Sequence, residues 1–330
     1  MEHLKIAGLP FEASRIALGT WAIGGWTWGG TEEKDAIATI HHALDLGINL
    51  IDTAPAYGFG QSEEIVGKAL QGRRDNTLIA TKVGLDWESG KILRNSTQQR
   101  LRAELEDSLK RLKTDVIDIY QVHWPDEGTA FEETARTLEE FRREGKIRAI
   151  GVSNYSPAQM DRFRKEAPLA TIQPPYNLFE REIEKDVLPY AKNNGIVVLA
   201  YGALCRGLLA GKITAETTFD GDDLRNNDPK FKSERRGQYL AAVEKLDALA
   251  RDKFGKSVLA LAVRWILDWG DTIALWGARR PSQLDAIEDV MGWTIDAATM
   301  KEIDRILDET VEDPVGPEFM APPPSAKDAA

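Results

Sequence analysis

What most restricts the fold of this chain is a repeated alternation of short apolar runs with segments of helical length. The runs that read as strands are Arg15–Leu18, a run closing on Asp52, Thr77–Lys82, Asp115–His123, Arg148–Val152, Ala170–Gln173, Ile196–Tyr201 and Asp271–Leu275. Helices are predicted between them over roughly 31–46, 62–70, 97–112, 131–143, 157–165, 180–193 and 257–268. Parallel strands need helical crossovers and are buried on both faces, so they read as continuous apolar runs. Eight such units without a break in composition predict a single (β/α)8 TIM barrel, an α/β fold occupying residues 1–310. A doubly wound sheet is the rival fold. The absence of a Gly-x-Gly-x-x-Gly turn between the first strand and the first helix lowers it.

Three additions to the barrel are expected. A short N-terminal β-hairpin, with a break at Gly8-Leu9-Pro10, would plug its bottom. A long loop-helix insertion over about 211–256 follows strand seven, polar over 219–229 and helical over about 235–253, and has the size of a lid. After a last helix, residues 311–330 are rich in proline and read as an irregular tail without chemistry.

The net charge of −11 argues against nucleic acid or an anionic membrane as the main partner, although a local basic cluster could still bind one anionic ligand. No run of eighteen apolar residues and no basic-apolar leader is visible, and the single cysteine, Cys205, excludes an intramolecular disulfide. The expectation is a cytoplasmic monomer that binds no metal and acts on a small molecule.

In a barrel, chemistry sits at the C-terminal ends of the strands. There the sequence places Asp52, Lys82, His123, Ser153-Asn154, Gln173, Tyr201 and Gly277. Each has an ordinary structural explanation by itself: Asp52 could cap a turn, Tyr57 could be a rim residue, and Trp26 and Trp28 could pack beneath the Gly-rich loop 19–30. Their joint placement points further. Tyr57 follows Asp52 on a loop marked by Pro55, Gly58 and Gly60, and Ser62-Glu63-Glu64 reads as an N-cap with an acidic first turn. A phenol titrates near pH ~10, so it needs a nearby ammonium to exchange protons at neutrality. Lys82 could supply that ammonium, Asp52 could hold it, and a neutral His123 could donate a hydrogen bond to a carbonyl oxygen. No Ser or Cys stands beside a base, so this is a proton-donating, carbonyl-polarising site that takes its hydride from outside. Cys205 reads as a small filler.

These four residues, with Gly47-Ile48-Asn49-Leu50-Ile51-Asp52-Thr53-Ala54, Gly151-Val152-Ser153-Asn154 and Gly277-Ala278-Arg279, resemble the aldo-keto reductase superfamily to about residue 310. The resemblance implies NADPH (NADP+ in the reverse direction) laid across the barrel mouth, and hydride transfer to an aldehyde or ketone. It implies that Asp52, Tyr57, Lys82 and His123 are catalytic, that Ser153, Asn154 and Gln173 bind the carboxamide, and that Tyr201 stacks on the nicotinamide. Gly202, Leu204, Arg206 and Gly207, with Lys212, match the loop that covers the pyrophosphate. Gly277, Arg279, Arg280 and Gln283 match the segment that holds the adenosine 2′-phosphate. Two adjacent arginines favour NADPH over NADH. Gln283-Leu284-Asp285-Ala286-Ile287 keeps only the glutamine of the family's adenine-side pattern. Trp21, which also touches the cofactor, Trp28 and Trp124 are expected to wall the substrate pocket, and small polar or aromatic aldehydes such as glyceraldehyde would suit it. Two other classes remain: a nicotinamide-binding regulatory subunit of the potassium-channel β type, and a metal-dependent barrel hydrolase. Of the four histidines only His123 falls at a strand end, which weighs against the hydrolase.

Overall fold

A computed structural model describes residues 1–87 and 91–323 of the chain. Eight parallel strands close into a barrel: β1 (Ile16–Gly19), β2 (Leu50–Asp52), β3 (Leu78–Val83), β4 (Ile117–Val122), β5 (Ile147–Ser153), β6 (Thr171–Gln173), β7 (Val197–Ala200) and β8 (Thr272–Gly277). The seam joins β8 to β1, with Ala274 opposite Ile16 and Gly277 opposite Gly19.

The side-chain period of two along each strand builds the interior from the bottom upward. On β3 the inward series is Leu78, Ala80, Lys82, and on β2 it is Leu50 then Asp52. The lower members join an interior cluster with Ala17, Ile119, Ala149, Val197, Leu199 and Ile273. The upper members are charged, and together with Gln121 and Gln173 they form a polar top layer. A small residue is required on β5 where side chains of the neighbouring strands β4 and β6 crowd it. A Cβ on Gly151 would lie 2.2 Å from Thr171 Oγ1 and 2.8 Å from Gln121 Cγ.

The N-terminal hairpin pairs His3–Leu4 with Ala13–Ser14, and its Ile6 and Ala13 belong to the same interior cluster, so it plugs the bottom as expected. Outside lie α1 (Glu33–Asp45), α2 (Gln61–Ala69), α3 (Gln98–Leu112), α4 (Phe131–Arg143), α5 (Pro157–Phe163), α6 (Val187–Asn193), α7 (Ser233–Phe254), α8 (Val258–Leu267) and α9 (Ala297–Thr310). Side chains cap the N-termini of α5, α6, α8 and α9. In α5, Ser156 and Gln159 form a reciprocal capping box ahead of Pro157.

Several details differ from the sequence reading. The helix expected over 180–193 divides into a 3-10 turn, Glu182–Glu184, and α6, whose start is fixed by the Asp186 side chain accepting from Val187 N. Ser62 does not cap α2. The cap residue is Gly60 in a left-handed conformation, and the Ser62 hydroxyl bonds internally to Thr20 Oγ1 and Thr53 Oγ1. A small hairpin, Leu85–Asp86 with Leu93–Arg94, follows β3 and was not foreseen. The tail is not irregular throughout. Val315 N donates to the Tyr239 hydroxyl, Lys230 Nζ to Gly316 O, and Glu318–Met320 forms a 3-10 turn over the barrel mouth. The rest of the expected tail, residues 324–330, lies outside the described residues.

Candidate active site

The polar top layer is organised around one buried ion pair. Lys82 Nζ lies 2.7 Å from Asp52 Oδ1 and donates to Thr53 O at 2.9 Å, with both side chains almost wholly buried. The second carboxylate oxygen of Asp52 accepts from Gln173 Nε2 at 2.8 Å. An unpaired charge in such a place would be costly, and the pair removes that cost only because every lone pair facing inward has a donor.

Above the pair, the ammonium sits 4.9 Å from the centre of the Tyr57 ring. His123 meets that ring edge-on, at 5.9 Å and 81°. Trp21 stacks on its other side, at 6.0 Å and 23°. The loop that carries Tyr57 is held by Tyr57 N to Ala54 O, Gly60 N to Pro55 O and Ser62 N to Tyr57 O. It also touches the loop after β1 backbone to backbone. A Cβ on Gly58 would lie 2.1 Å from Gly24 O, and one on Gly24 would lie 2.6 Å from Tyr57 C. Neither glycine tolerates a side chain there.

The protonation states follow from burial and charge. Burial alone would lower the Lys82 pKa, but Asp52 and Tyr57 outweigh it and raise it, so the ammonium persists. Burial, reinforced by Lys82, holds His123 well below the ordinary imidazole range, so it is neutral at pH 7. Burial also raises the Tyr57 phenol above its usual value, and Lys82 offsets this only in part. Here the structure differs from the sequence expectation: the pull of Lys82 is present, but desolvation is larger, and at neutrality the phenol keeps its proton.

Two cavities meet at Trp21, Tyr57 and Tyr201. The larger, about 530 Å³, opens above Tyr57 and His123 and is walled by Trp21, Trp26, Phe59, Trp124, Leu224 and the tail residue Phe319. The smaller, about 270 Å³, runs across the barrel mouth between Gly202–Gly207 and Gly277–Arg279. The insertion after β7 covers both. Asp222 accepts from Thr27 N at 2.8 Å and Gly29 N at 3.3 Å, and Leu224 N donates to Thr27 O.

The model of the "Aldo/keto reductase family" matches residues 15–308. The chain belongs to this family. It is 62% identical over 326 residues, 98% of either chain, to "Aldo-keto reductase YhdN" of Bacillus subtilis. It is 36% identical, over 93% of its length and the whole of the relative, to the "NADH-specific methylglyoxal reductase" of Escherichia coli. Among solved structures it is similar to the glycerol dehydrogenase AKR11B4 from Gluconobacter oxydans, at 56% identity and a TM-score of 0.89, covering 97% of this chain and 99% of that one. It is also similar to an aldo/keto reductase from Klebsiella pneumoniae in complex with NADP and acetate, at 25% identity and a TM-score of 0.72, covering 92% and 95%. An oxidoreductase using a nicotinamide cofactor is what these similarities support.

For an aldo-keto reductase, the expected residues are well gathered but not all in their expected posts. Gly202, Leu204, Gly207, Lys212, Gly277, Arg279 and Gln283 line the smaller groove. Ser153, Asn154 and Gln173 stand together beside Tyr201, whose hydroxyl donates to Asn154 Oδ1 at 3.0 Å. Ser153 Oγ donates to Gln173 O, and Asn154 Nδ2 to His123 O. Arg206 differs from expectation. Its guanidinium is buried against Glu180 and Asp228, so toward the groove it offers backbone rather than free charge. Trp28 also differs: it lines the smaller groove, while Trp26 takes the place at the larger cavity. Gln283 Oε1 accepts from the backbone of both Arg279 and Arg280, which pins their turn. Arg280 is beside the groove rather than among the described residues lining it.

Several lining residues were missed. Arg225, on the insertion, stacks on Trp28 at 5.4 Å and adds a cation to the groove. Phe319, Met320, Pro322 and Pro323 bring the tail over the larger cavity. Only the high local content of aromatics and prolines hinted at them.

The groove suits an extended nucleotide. Arg279 has its pKa lowered by burial and by the charges of Arg280 and Arg225, although Arg225 is itself paired with Asp223. Among the described residues, Trp28 Nε1 is buried without a partner and a Cβ on Gly277 would meet nothing within 4 Å. A donor without an acceptor, open backbone and clustered cations are what a phosphate-bearing ligand requires.

Proposed function

We propose that the chain is an NADPH-dependent carbonyl reductase in which Tyr57 is the proton donor. The observation that carries this reading is Lys82 held between Asp52 and the face of Tyr57, with a neutral His123 edge-on, where Tyr57 lines both cavities and His123 the larger. The nicotinamide, when bound, supplies the hydride. His123 orients the carbonyl by a hydrogen bond to its oxygen, and Tyr57 releases its proton to that oxygen as it gains charge. Lys82 stabilises the phenolate left behind, and Asp52 keeps Lys82 in place. A phenol protonated at neutral pH favours donation, hence reduction rather than alcohol oxidation. Tyr201, Ser153, Asn154 and Gln173 would hold the nicotinamide, and the Arg279–Arg280 turn the 2′-phosphate.

All of these residues come from one chain, so a monomer suffices. Among the described residues no helix is long and apolar enough to cross a membrane. The relatives named for methylglyoxal and glycerol support small polar carbonyl compounds as part of the range. A panel of aldehydes and ketones assayed with NADPH and with NADH tests the reading. Turnover of aldehydes with NADPH preferred supports it, and turnover with NADH alone would overturn the cofactor assignment.

A further inference from the structure

Against the outer face of β3, toward α2 and α3, lie two buried acids that the proton transfer does not use. Glu63 on α2 accepts from Thr81 Oγ1 at 2.6 Å and from Arg111 Nε at 2.7 Å, and Glu104 on α3 accepts from Gly84 N at 3.0 Å. Thr81 stands immediately before Lys82, and Gly84 immediately after Val83. Tyr120 on β4 is buried with them, and its hydroxyl has no partner among the described residues. Stability does not account for Glu104. Burial pushes its carboxyl from 4.5 up to about 8, with Arg100, the Gly84 N–H and Arg111 drawing it down and Glu63 adding to the rise. A carboxyl raised in this way stabilises the fold fully only below its unfolded value and costs it stability as the pH rises toward 8. An apolar side chain of similar size would fill the space without that cost.

What an apolar side chain could not supply is an acceptor at one point of the backbone. Gly84 has φ 92°, and a Cβ on it would lie 3.0 Å from Ser96 Oγ, so the chain turns sharply where β3 ends. Glu104 takes the N–H of that turn. Arg100, one helical turn earlier on α3 and 3.6 Å from Glu104, donates through Nε and Nη2 to Leu85 O at 3.1 and 2.9 Å. The two side chains thus grip the backbone on both sides of the turn. Toward the site, the same short segment carries Lys82 itself and Val83 O, which accepts from His123 N at 2.8 Å. A shift of the turn would therefore move the ammonium beneath Tyr57 and the backbone of His123 together.

We propose that Glu104 is a positioning residue for the reaction: with Arg100 it sets where β3 ends, and so where Lys82 and His123 stand. This role rests on the reading of Tyr57 as the proton donor. Glu104 lines neither cavity and acts through the backbone alone. What the position requires is an acceptor oxygen for Gly84 N, which a carboxyl offers in either protonation state.

The test compares Glu104→Gln, which keeps an acceptor oxygen for Gly84 N, with Glu104→Met, which fills the space without one. Glu104→Gln should keep kcat for aldehyde reduction within about threefold of parent. Glu104→Met should lower kcat by about tenfold or more, with KM for aldehyde and for nicotinamide within about twofold, because misplaced groups act on the chemical step. The pH profile separates positioning from a loss of stability. In Glu104→Met the midpoint of alcohol oxidation against pH should rise by about half a unit or more, since an ammonium displaced from Tyr57 stabilises its phenolate less, and in Glu104→Gln it should stay with the parent. Should Glu104→Met not fold, Glu104→Asp, whose carboxyl falls one methylene short of Gly84 N, should show the same losses. Parental kcat and pH midpoint in the variant without the contact, or equal losses in Glu104→Gln, would overturn the positioning role while leaving Tyr57 as the donor. If the parent reduces no aldehyde with either nicotinamide, the functional reading fails and the positioning role fails with it.

Discussion

Two clusters of buried charge flank the barrel mouth, and by burial and balance they are hard to tell apart. One is Asp52 with Lys82; the other is Glu180 and Asp228 with Arg206 and Lys230. Each is neutral overall and deeply buried. What separates them is the open side. Lys82 faces the ring of Tyr57 and through it a cavity, whereas Arg206 is covered by Phe319, whose ring centre lies 5.6 Å from the guanidinium. The second cluster instead ties together the loops after β6 and β7, the insertion and, through Lys230 and Gly316, the tail. A buried ion pair thus marks a site only when a group able to exchange protons stands between it and space for a ligand.

Removing the phenol that the first cluster faces, and a charge from within the second, should have different consequences. Tyr57→Phe keeps the ring but not the proton, so kcat for aldehyde reduction should fall by about 10²–10⁴, while cofactor binding by fluorescence titration is retained. A variant keeping more than about a third of parental single-turnover hydride transfer would put the donor elsewhere, with His123 next in line. Arg206→Met leaves Glu180 and Asp228 with Lys230 alone. Its unfolding free energy in urea should drop by about 3–5 kcal/mol, with kcat at saturating cofactor within about threefold of parent. A stable variant with lost turnover would reverse the assignment of the two clusters.

Between the clusters lies the cationic groove. Replacing Arg279 and Arg280 together with Ala should erase most of an NADPH preference of at least about tenfold, since charge-assisted contacts contribute about 1.5–3 kcal/mol each and add incompletely. Equal affinity of the parent for NADPH and NADH would sink the 2′-phosphate site. The smallest effect concerns His123. Its folded pKa lies well below the ordinary 6.5, so below pH 6.5 the unfolded chain takes up a proton that the folded chain refuses. Stability is therefore full above that pH and declines as pH falls, by at most about 1.4 kcal/mol per pH unit. In His123→Asn the difference from parent in the Tm-against-pH slope between pH 6.5 and 5 should show this contribution removed; coincident slopes would mean the imidazole is not held neutral.

How far these regions were legible follows from their chemistry. The strand ends announced themselves, because a continuous apolar run that stops on Asp52, Lys82 or His123 carries both its burial and its direction in the sequence. Arg206 misled for a related reason. Its loop resembled a phosphate-covering loop, but the carboxylates that capture its charge come from residues 180 and 228, which no local pattern connects to it. Trp26 and Trp28 are two residues apart in a Gly-rich loop, and only the Asp222 clasp and the Gly24–Gly58 contact decide which faces which cavity. The tail read as irregular because prolines forbid helix there, yet irregular backbone can still dock, as Val315 and Phe319 do.

The seam between β8 and β1 has a consequence for how the chain is made. Residues 16–19 leave the ribosome early and stay an unpaired sheet edge on one side until residues 274–277 arrive to pair with them. Until β8 is made the nascent sheet is open, a state prone to wrong pairing and dependent on whatever shields it. The substrate cavity comes later still, because its outer wall includes residues 319–323. A chain halted after α9 would thus be a closed barrel with a roofless pocket.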